Sequence, residues 1–168
     1  MNMSELLKKL ETYADSDYLP MHMPGHKRRM GDLGNPFFID ITEIDGFDDL
    51  HHAEGILKQA EERAAELYGS EETHYLVNGS TSGILAAISG CTAAGGMVLL
   101  ARNSHKSAYH AVLLRGLHVH YIYPQPAGKM GINGPVTAEN VDRLLEEHPE
   151  TKMVYITSPT YDGVVSDV

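Results

Sequence analysis

Two stretches in the first part of the chain carry apolar residues every three to four positions, which is the period of an amphipathic helix. The first begins after Ser4, a residue type that caps helix N-termini, and extends to about Ala14. The second spans 56–68, and Gly69 after it is suited to end a helix. Prolines and glycines prevent a long helix between the two, and 37–41 is predicted to be a short extended segment.

From residue 73 onward, apolar runs of strand length alternate with segments of helical period. Because helices between strands are typical of βαβ units, we predict an α/β fold with a mostly parallel sheet flanked by helices. Thr137 is the predicted cap of the last helix. The predicted order is strand 73–77, helix 81–91, strand 97–101, helix 105–114, strand 117–123, helix 138–147 and strand 152–157.

The charge balance and the cysteine content narrow the classes of partner and compartment. The chain has 168 residues with 13 basic and 23 acidic side chains; since nucleic-acid binding needs Lys and Arg clusters, we expect no such partner. Cys91 is the single cysteine, which excludes an internal disulfide and fits the cytoplasm. No apolar run approaches membrane-spanning length, so we expect no membrane partner. The histidine pairs lack a third ligand, so no metal site is predicted.

The segment 78–83, with the sequence Asn-Gly-Ser-Thr-Ser-Gly, lies between a predicted strand and a predicted helix. Free main-chain N–H groups and the positive end of the helix dipole attract anions at such a turn, and short hydroxyls add donors. The turn lacks the lysine of a nucleotide-binding P-loop and the Gly-x-Gly-x-x-Gly pattern of dinucleotide binding. A site for one phosphate group is the remaining interpretation, and a merely capped turn is its alternative.

Seven ordered segments resemble the ornithine/lysine/arginine decarboxylases, in particular the shorter bacterial members, from about residue 17 onward. The resemblance implies a pyridoxal-phosphate enzyme of the aspartate-aminotransferase fold (fold type I), an enzyme of polyamine metabolism. It implies an N-terminal helix and active-site arm over 1–54 and the first part of the pyridoxal-phosphate (PLP) domain over 55–168. The segments are Met21–Lys27, Asp40–Ile44, Asp48–His51, Gly55–Tyr68, Asn78–Gly83, Arg102–Ser107 and Ser158–Gly163.

The same resemblance implies a role for particular residues. The turn residues Ser80, Thr81 and Ser82 would hold the cofactor phosphate, and His105 would stack on the pyridine ring. The alternative for His105 is a capping or core histidine. Ser158 and Thr160 would line the edge of the cofactor, and their alternative is a proline-containing turn capped by hydroxyls.

The segment Pro24, Gly25 and His26 resembles the part of the arm that completes the substrate pocket at a dimer interface. The resemblance therefore implies a homodimer or a higher even oligomer that acts on a basic amino acid. The acidic stretch 40–49 is either a solvated loop or a region that attracts a dicationic substrate, and the sequence leaves both open.

In the family, the Schiff-base lysine and the aspartate that faces the pyridine nitrogen come from motifs that would follow Val168. Lys106 comes directly after His105, but it belongs to the earlier motif and is not expected to be that lysine. We therefore expect the chain to be the truncated N-terminal part of a decarboxylase of lysine, arginine or ornithine and to be inactive alone. The alternative is a natural half-protein that acts as a non-catalytic binding or regulatory partner.

Overall fold

The computed structural model describes residues 5–19, 34–38, 40–42, 44–129 and 131–167. Its contacts divide the chain into one unit that ends at Thr73 and a second that begins at His74, and each is described by itself. The predicted division into an arm over 1–54 and a domain from residue 55 stays a prediction.

The first unit contains the two predicted helices, α1 (Glu5–Ala14) and α2 (Ile56–Tyr68). The end of α2 is formed as predicted, because Gly69 adopts a left-handed φ of 66° and its N–H donates to the carbonyl of Glu66 at 3.3 Å. The predicted extended segment 37–41 is wrong: Pro36–Phe38 form a 3-10 turn, and 40–42 belong to no strand. Proline fixes φ near the value that this turn requires, and no neighbouring strand offers ladder hydrogen bonds to the described residues.

The start of α2 is held by the side chain of Asp48, which adopts a left-handed φ of 68°. Its carboxylate accepts hydrogen bonds of 2.8–3.4 Å from the main-chain N–H groups of Asp49, Glu54, Gly55, Leu57 and Lys58. These bonds, above all the one from Glu54, hold the pKa of Asp48 well below its ordinary value. The Asp48 carboxylate therefore accepts hydrogen bonds from the first turn of α2, whose N-cap residue is Gly55, and the two alternatives for the acidic stretch stay predictions.

The second unit is a three-stranded parallel sheet with helices on both faces. Strand β1 (Met97–Ala101) is central, with β2 (His118–Ile122) on one side and β3 (Thr151–Tyr155) on the other. The helices are α3 (Gly79–Cys91), α4 (Lys106–Arg115) and α5 (Ala138–Glu147), and the hydroxyl of Thr137 caps α5 as predicted. The predicted α/β architecture with a parallel sheet is confirmed.

The predicted strand 73–77 is wrong, because residues 73–76 have no regular structure and Val77 begins a turn. The apolar side chains of Tyr75, Leu76 and Val77 are about half or more exposed, so this run is not buried as a sheet strand would be. Leu76 instead approaches α3: a Cβ atom added to Gly83 would lie 2.6 Å from its Cδ1.

Strand β1 is buried from Val98 to Ala101 and separates two apolar clusters. One cluster joins the sheet to α3 and α4 through Ile88, Leu100, Ala108 and Ala111. The other joins the sheet to α5 through Leu99, Ile122, Val136 and Leu144. Side chains that alternate along β1 serve opposite faces, as the two-residue period of a strand requires.

The loop between β2 and α5 folds back on itself at an isolated bridge between Pro126 and Asn133. Next to it, the N–H of Gly134 donates to the carbonyl of Gln125 at 2.6 Å, and a Cβ added at Gly134 would lie 2.6 Å from that same oxygen. Only glycine allows the two segments to approach this closely.

Candidate functional site

Helices α3 and α4 pack against each other. Their C-terminal ends are tied together, because Arg115 Nη2 donates to the carbonyl of Thr92 at 2.8 Å and the N–H of Gly95 donates to the carbonyl of Arg115 at 3.1 Å. The crossover through α4 returns the chain to the amino edge of the sheet, where β2 begins. Both helices therefore begin at the carboxyl edge, where α/β proteins bind ligands.

The first turn of α3 is open. Asn78 has φ −100° and ψ 27°, and its side chain makes no capping hydrogen bond. Gly79 has a left-handed φ of 69°, and the side chains of Ser80 and Thr81 are exposed. Because the first N–H groups of a helix have no intrahelical acceptor, this turn presents donors and a positive dipole end.

The three predicted phosphate-binding hydroxyls are placed differently. Those of Ser80 and Thr81 stand on exposed side chains, whereas Ser82 Oγ donates to the carbonyl of Gly79 at 2.8 Å. The hydroxyl proton of Ser82 is therefore used within the helix, and its oxygen can act only as an acceptor toward a ligand. The predicted phosphate role of all three residues stays a prediction.

His105 is the N-cap of α4, with φ −64° and ψ 149°. Its Nδ1 accepts from the main-chain N–H of Ser107 at 3.3 Å and lies 2.9 Å from Ser107 Oγ. The capping alternative therefore describes one nitrogen of the ring, and the residue is not a core histidine because it is exposed. Since Nδ1 accepts, the neutral ring carries its proton on Nε2, and its outer face is accessible.

Ser158 and Thr160 follow β3, the neighbour of β1, and so lie at the same edge of the sheet. Ser158 Oγ accepts from the N–H of Ser166 at 3.0 Å, and Thr160 Oγ1 accepts from the N–H of Val164 at 3.2 Å. The bond between Ser158 and Pro159 is cis. These contacts are those of the hydroxyl-capped turn, and the contact of either side chain with a cofactor stays a prediction.

Two further sets of predicted residues have different outcomes. Pro24, Gly25 and His26 lie outside the described residues. Lys106 is the first residue of α4 and is exposed.

The contacts of two residues could not be predicted from the motif segments that contain them: Asp48 in the first unit and Arg102 in the second. For Arg102, the position directly after a buried strand was the available signal.

The residues at the carboxyl edge fit a small molecule that carries a phosphate and a flat ring. An open helix start and an exposed imidazole stand on adjacent helices that begin at the same edge. In the loop between β1 and α4, Asn103 Oδ1 and Ser104 Oγ are buried without a hydrogen-bond partner in the part of the chain that the structure describes. Unpaired buried polar atoms are rare in native proteins and favour an additional bound group.

The described residues offer neither a cluster of metal ligands nor a membrane-spanning helix. No three His, Cys, Asp or Glu side chains there lie close enough together to hold a metal ion. None of the helices in the described ranges has both the length and the apolar character needed to cross a membrane.

Comparison with known proteins identifies relatives of the chain. The family model of the Orn/Lys/Arg decarboxylase major domain matches residues 4–168. Protein YaaO of Bacillus subtilis is 38% identical over 97% of the chain and 35% of its own length. The arginine decarboxylase of Bacillus subtilis is 34% identical over 95% of the chain and 34% of its own length. The chain thus spans about a third of the length of these curated relatives.

The structure of the constitutive lysine decarboxylase of E. coli superimposes with a TM-score of 0.63 and 22% identity. The match covers 95% of this chain and 26% of that one. This likeness agrees with the predicted α/β fold, in which helices flank a parallel sheet.

Proposed function

The chain belongs to the Orn/Lys/Arg decarboxylase family, and from this premise we propose that it forms part of the cofactor site of a PLP-dependent decarboxylase of lysine, arginine or ornithine. One observation carries the proposal: α3 and α4 both begin at the carboxyl edge of the sheet, one with an open turn and the other with an exposed imidazole. A phosphate and a ring in one ligand need this pair of features side by side.

The first turn of α3 receives the phosphate. Its free N–H groups and the dipole end favour a dianion there, and the hydroxyls of Ser80 and Thr81 supply further donors. Ser82 contributes indirectly, because its bond to the carbonyl of Gly79 keeps the turn in shape.

His105 supports the ring. Its Nδ1 is engaged by Ser107, so the imidazole plane is fixed and one face is free for stacking. Bound PLP would act as an electron sink for the carbon that loses its carboxylate. Ser158 and Thr160 follow the neighbouring strand and would close the edge of the ring.

The whole protein would be a cytoplasmic homodimer or higher even oligomer, with Pro24, Gly25 and His26 in the arm that completes the substrate pocket. The Schiff-base lysine and the aspartate facing the pyridine nitrogen are assigned to no residue of this chain, since Lys106 stands exposed at the start of α4. We therefore expect residues 1–168 alone to bind PLP without covalent attachment and to release no CO2 from basic amino acids.

The test is a titration of the chain with PLP, followed by the visible circular dichroism of the cofactor, before and after borohydride. We expect saturable binding that the double change Ser80→Ala/Thr81→Ala weakens and that Thr12→Ala, a control hydroxyl on α1, leaves unchanged. If the double variant bound PLP as tightly as the wild type, the phosphate assignment would be refuted. A borohydride-fixed adduct abolished by Lys106→Ala would show that this lysine is the reactive one.

A further inference from the structure

Arg102, the first residue after β1, lies against two tyrosines. Its guanidinium carbon is 5.5 Å from the ring centroid of Tyr109 on α4 and 5.5 Å from that of Tyr121 on β2. The two tyrosine rings are themselves 6.2 Å apart. A guanidinium at this distance from an aromatic face is attracted by the ring quadrupole, so one side chain joins a strand, a helix and the loop between them.

Arg102 and Tyr109 also exchange hydrogen bonds. Arg102 Nη1 donates to the tyrosine hydroxyl at 2.8 Å, and that hydroxyl donates to the carbonyl of Arg102 at 2.6 Å. The main-chain N–H of Arg102 donates to the carbonyl of Ile122 at 2.8 Å. Main chain and side chain of Arg102 are therefore both fixed, and the tyrosine hydroxyl uses its only proton on this loop.

Two residues separate Arg102 from His105, and the far end of this short loop is fixed as well. The N–H of Ser104 donates to the carbonyl of Ala101 at 3.1 Å, and the His105 ring is held by Ser107. Only the dihedral angles of a few residues therefore lie between the two anchors of this loop.

We propose that Arg102, clamped by Tyr109 and Tyr121, is a positioning residue for the His105 ring. The proposal rests on the proposed function in one respect, namely that the ring so oriented is the one that stacks on PLP. Arg102 itself touches no reacting atom; it acts through the loop 102–105. Its planar guanidinium satisfies two rings and a hydroxyl at once, which a lysine ammonium does not reproduce.

The first test reads the His105 ring directly, by two-dimensional NMR of the imidazole nitrogens in the full chain without ligand. We expect the wild-type protein to show Nε2 protonated and Nδ1 unprotonated. Arg102→Ala and the milder Tyr109→Phe should both shift these signals toward an average of the two tautomers. Arg143→Ala, which removes an exposed arginine that bonds Glu147 and Asn140 on α5, is the matched control and should change nothing. Unchanged ring signals in folded Tyr109→Phe protein would overturn the proposal.

The second test separates this proposal from the proposed function. In the two variants we expect PLP to bind about 2- to 10-fold more weakly, the size of one stacking contact, while inorganic phosphate binds as in the wild type. Equal PLP affinity in variants and wild type would overturn the link between Arg102 and the cofactor. If the wild-type chain bound no PLP but its His105 signals still depended on Arg102, the proposed function would fall and the positioning role would stand.

Discussion

Because the start of α3 is open, we expect alanine substitutions at Asn78 and Thr137, two residues of the same unit, to differ in their effect on stability. Thr137 accepts from the N–H of Asn140 at 3.3 Å, whereas Asn78 stands at the start of α3 without a capping bond. Both residue types are preferred N-caps, so sequence alone predicts similar losses when either is replaced by alanine. The structure predicts that only the change at Thr137 destabilises the protein.

The expected magnitude follows from the geometry. Loss of a threonine cap costs about 0.5–2 kcal/mol, and a 3.3 Å bond places Thr137→Ala in the lower half, at about 0.5–1 kcal/mol. For a chain of 168 residues this lowers Tm by about 1–4 °C. Asn78→Ala loses no capping bond and should stay within about 0.5 kcal/mol of the wild type, the range of ordinary surface changes.

The assay is thermal unfolding followed by near-ultraviolet circular dichroism, at equal concentration and without phosphate. Since both positions belong to the unit that begins at His74, they are read in the same transition. Thr137→Ser keeps the hydroxyl and serves as the control for lost methyl packing. If Asn78→Ala cost as much as Thr137→Ala, the Asn78 side chain would cap α3 in solution, and the first turn would not be open to a phosphate.

Three further predictions concern stability. Asp48→Asn should destabilise the protein at pH 7. Because the folded-state pKa of Asp48 is lowered, the stability advantage of the wild type is full above about pH 4 and fades as the pH falls below it. The measurement is Tm of both proteins from pH 7 to pH 2, and a Tm difference that did not shrink toward pH 2 would refute this. Gly134→Ala should cost about 1–3 kcal/mol, since its Cβ would meet a carbonyl oxygen at 2.6 Å, whereas Gly90→Ala in α3 meets nothing within 4 Å and should stabilise by about 0.5–1 kcal/mol in urea unfolding; the same sign at both sites would contradict this. Leu100→Ala in buried β1 should cost about 2–5 kcal/mol and Leu113→Ala, 79% exposed on α4, about 0.5 kcal/mol or less in the same assay; equal losses would place Leu100 outside the core.

The sequence predicted those elements whose signals are local. Strand 97–101 is an apolar run that a buried central strand requires, and Gly69 ends its helix in the left-handed conformation that only glycine adopts readily. The run 73–77 has the same local signal, but a strand forms only where a neighbouring strand supplies hydrogen bonds. The residues of the run do not reveal whether such a strand is present.

The candidate site shows the same division. The position of His105 could be predicted, because strand–turn–helix order places it at the carboxyl edge, whereas the strand expected before the turn 78–83 does not form. The clamp on Arg102 could not, since its partners lie 7 and 19 positions further along the chain and meet it only when the sheet and α4 are assembled. The role of Asp48 was hidden for a similar reason, because its donors extend to Lys58, on the far side of a turn.

The hydrogen bonds between the C-terminal ends of α3 and α4 set the spacing of the two helices at the end far from the candidate site. Each helix is about 15–20 Å long, and Arg115 joins the pair at the end opposite the turn 78–83 and the imidazole. Because the two helices are joined at this end, the distance between the turn 78–83 and the His105 ring depends on a contact that lies far from both. A substitution of Arg115 would therefore change which ligands fit between the helix starts without altering any group that contacts a ligand.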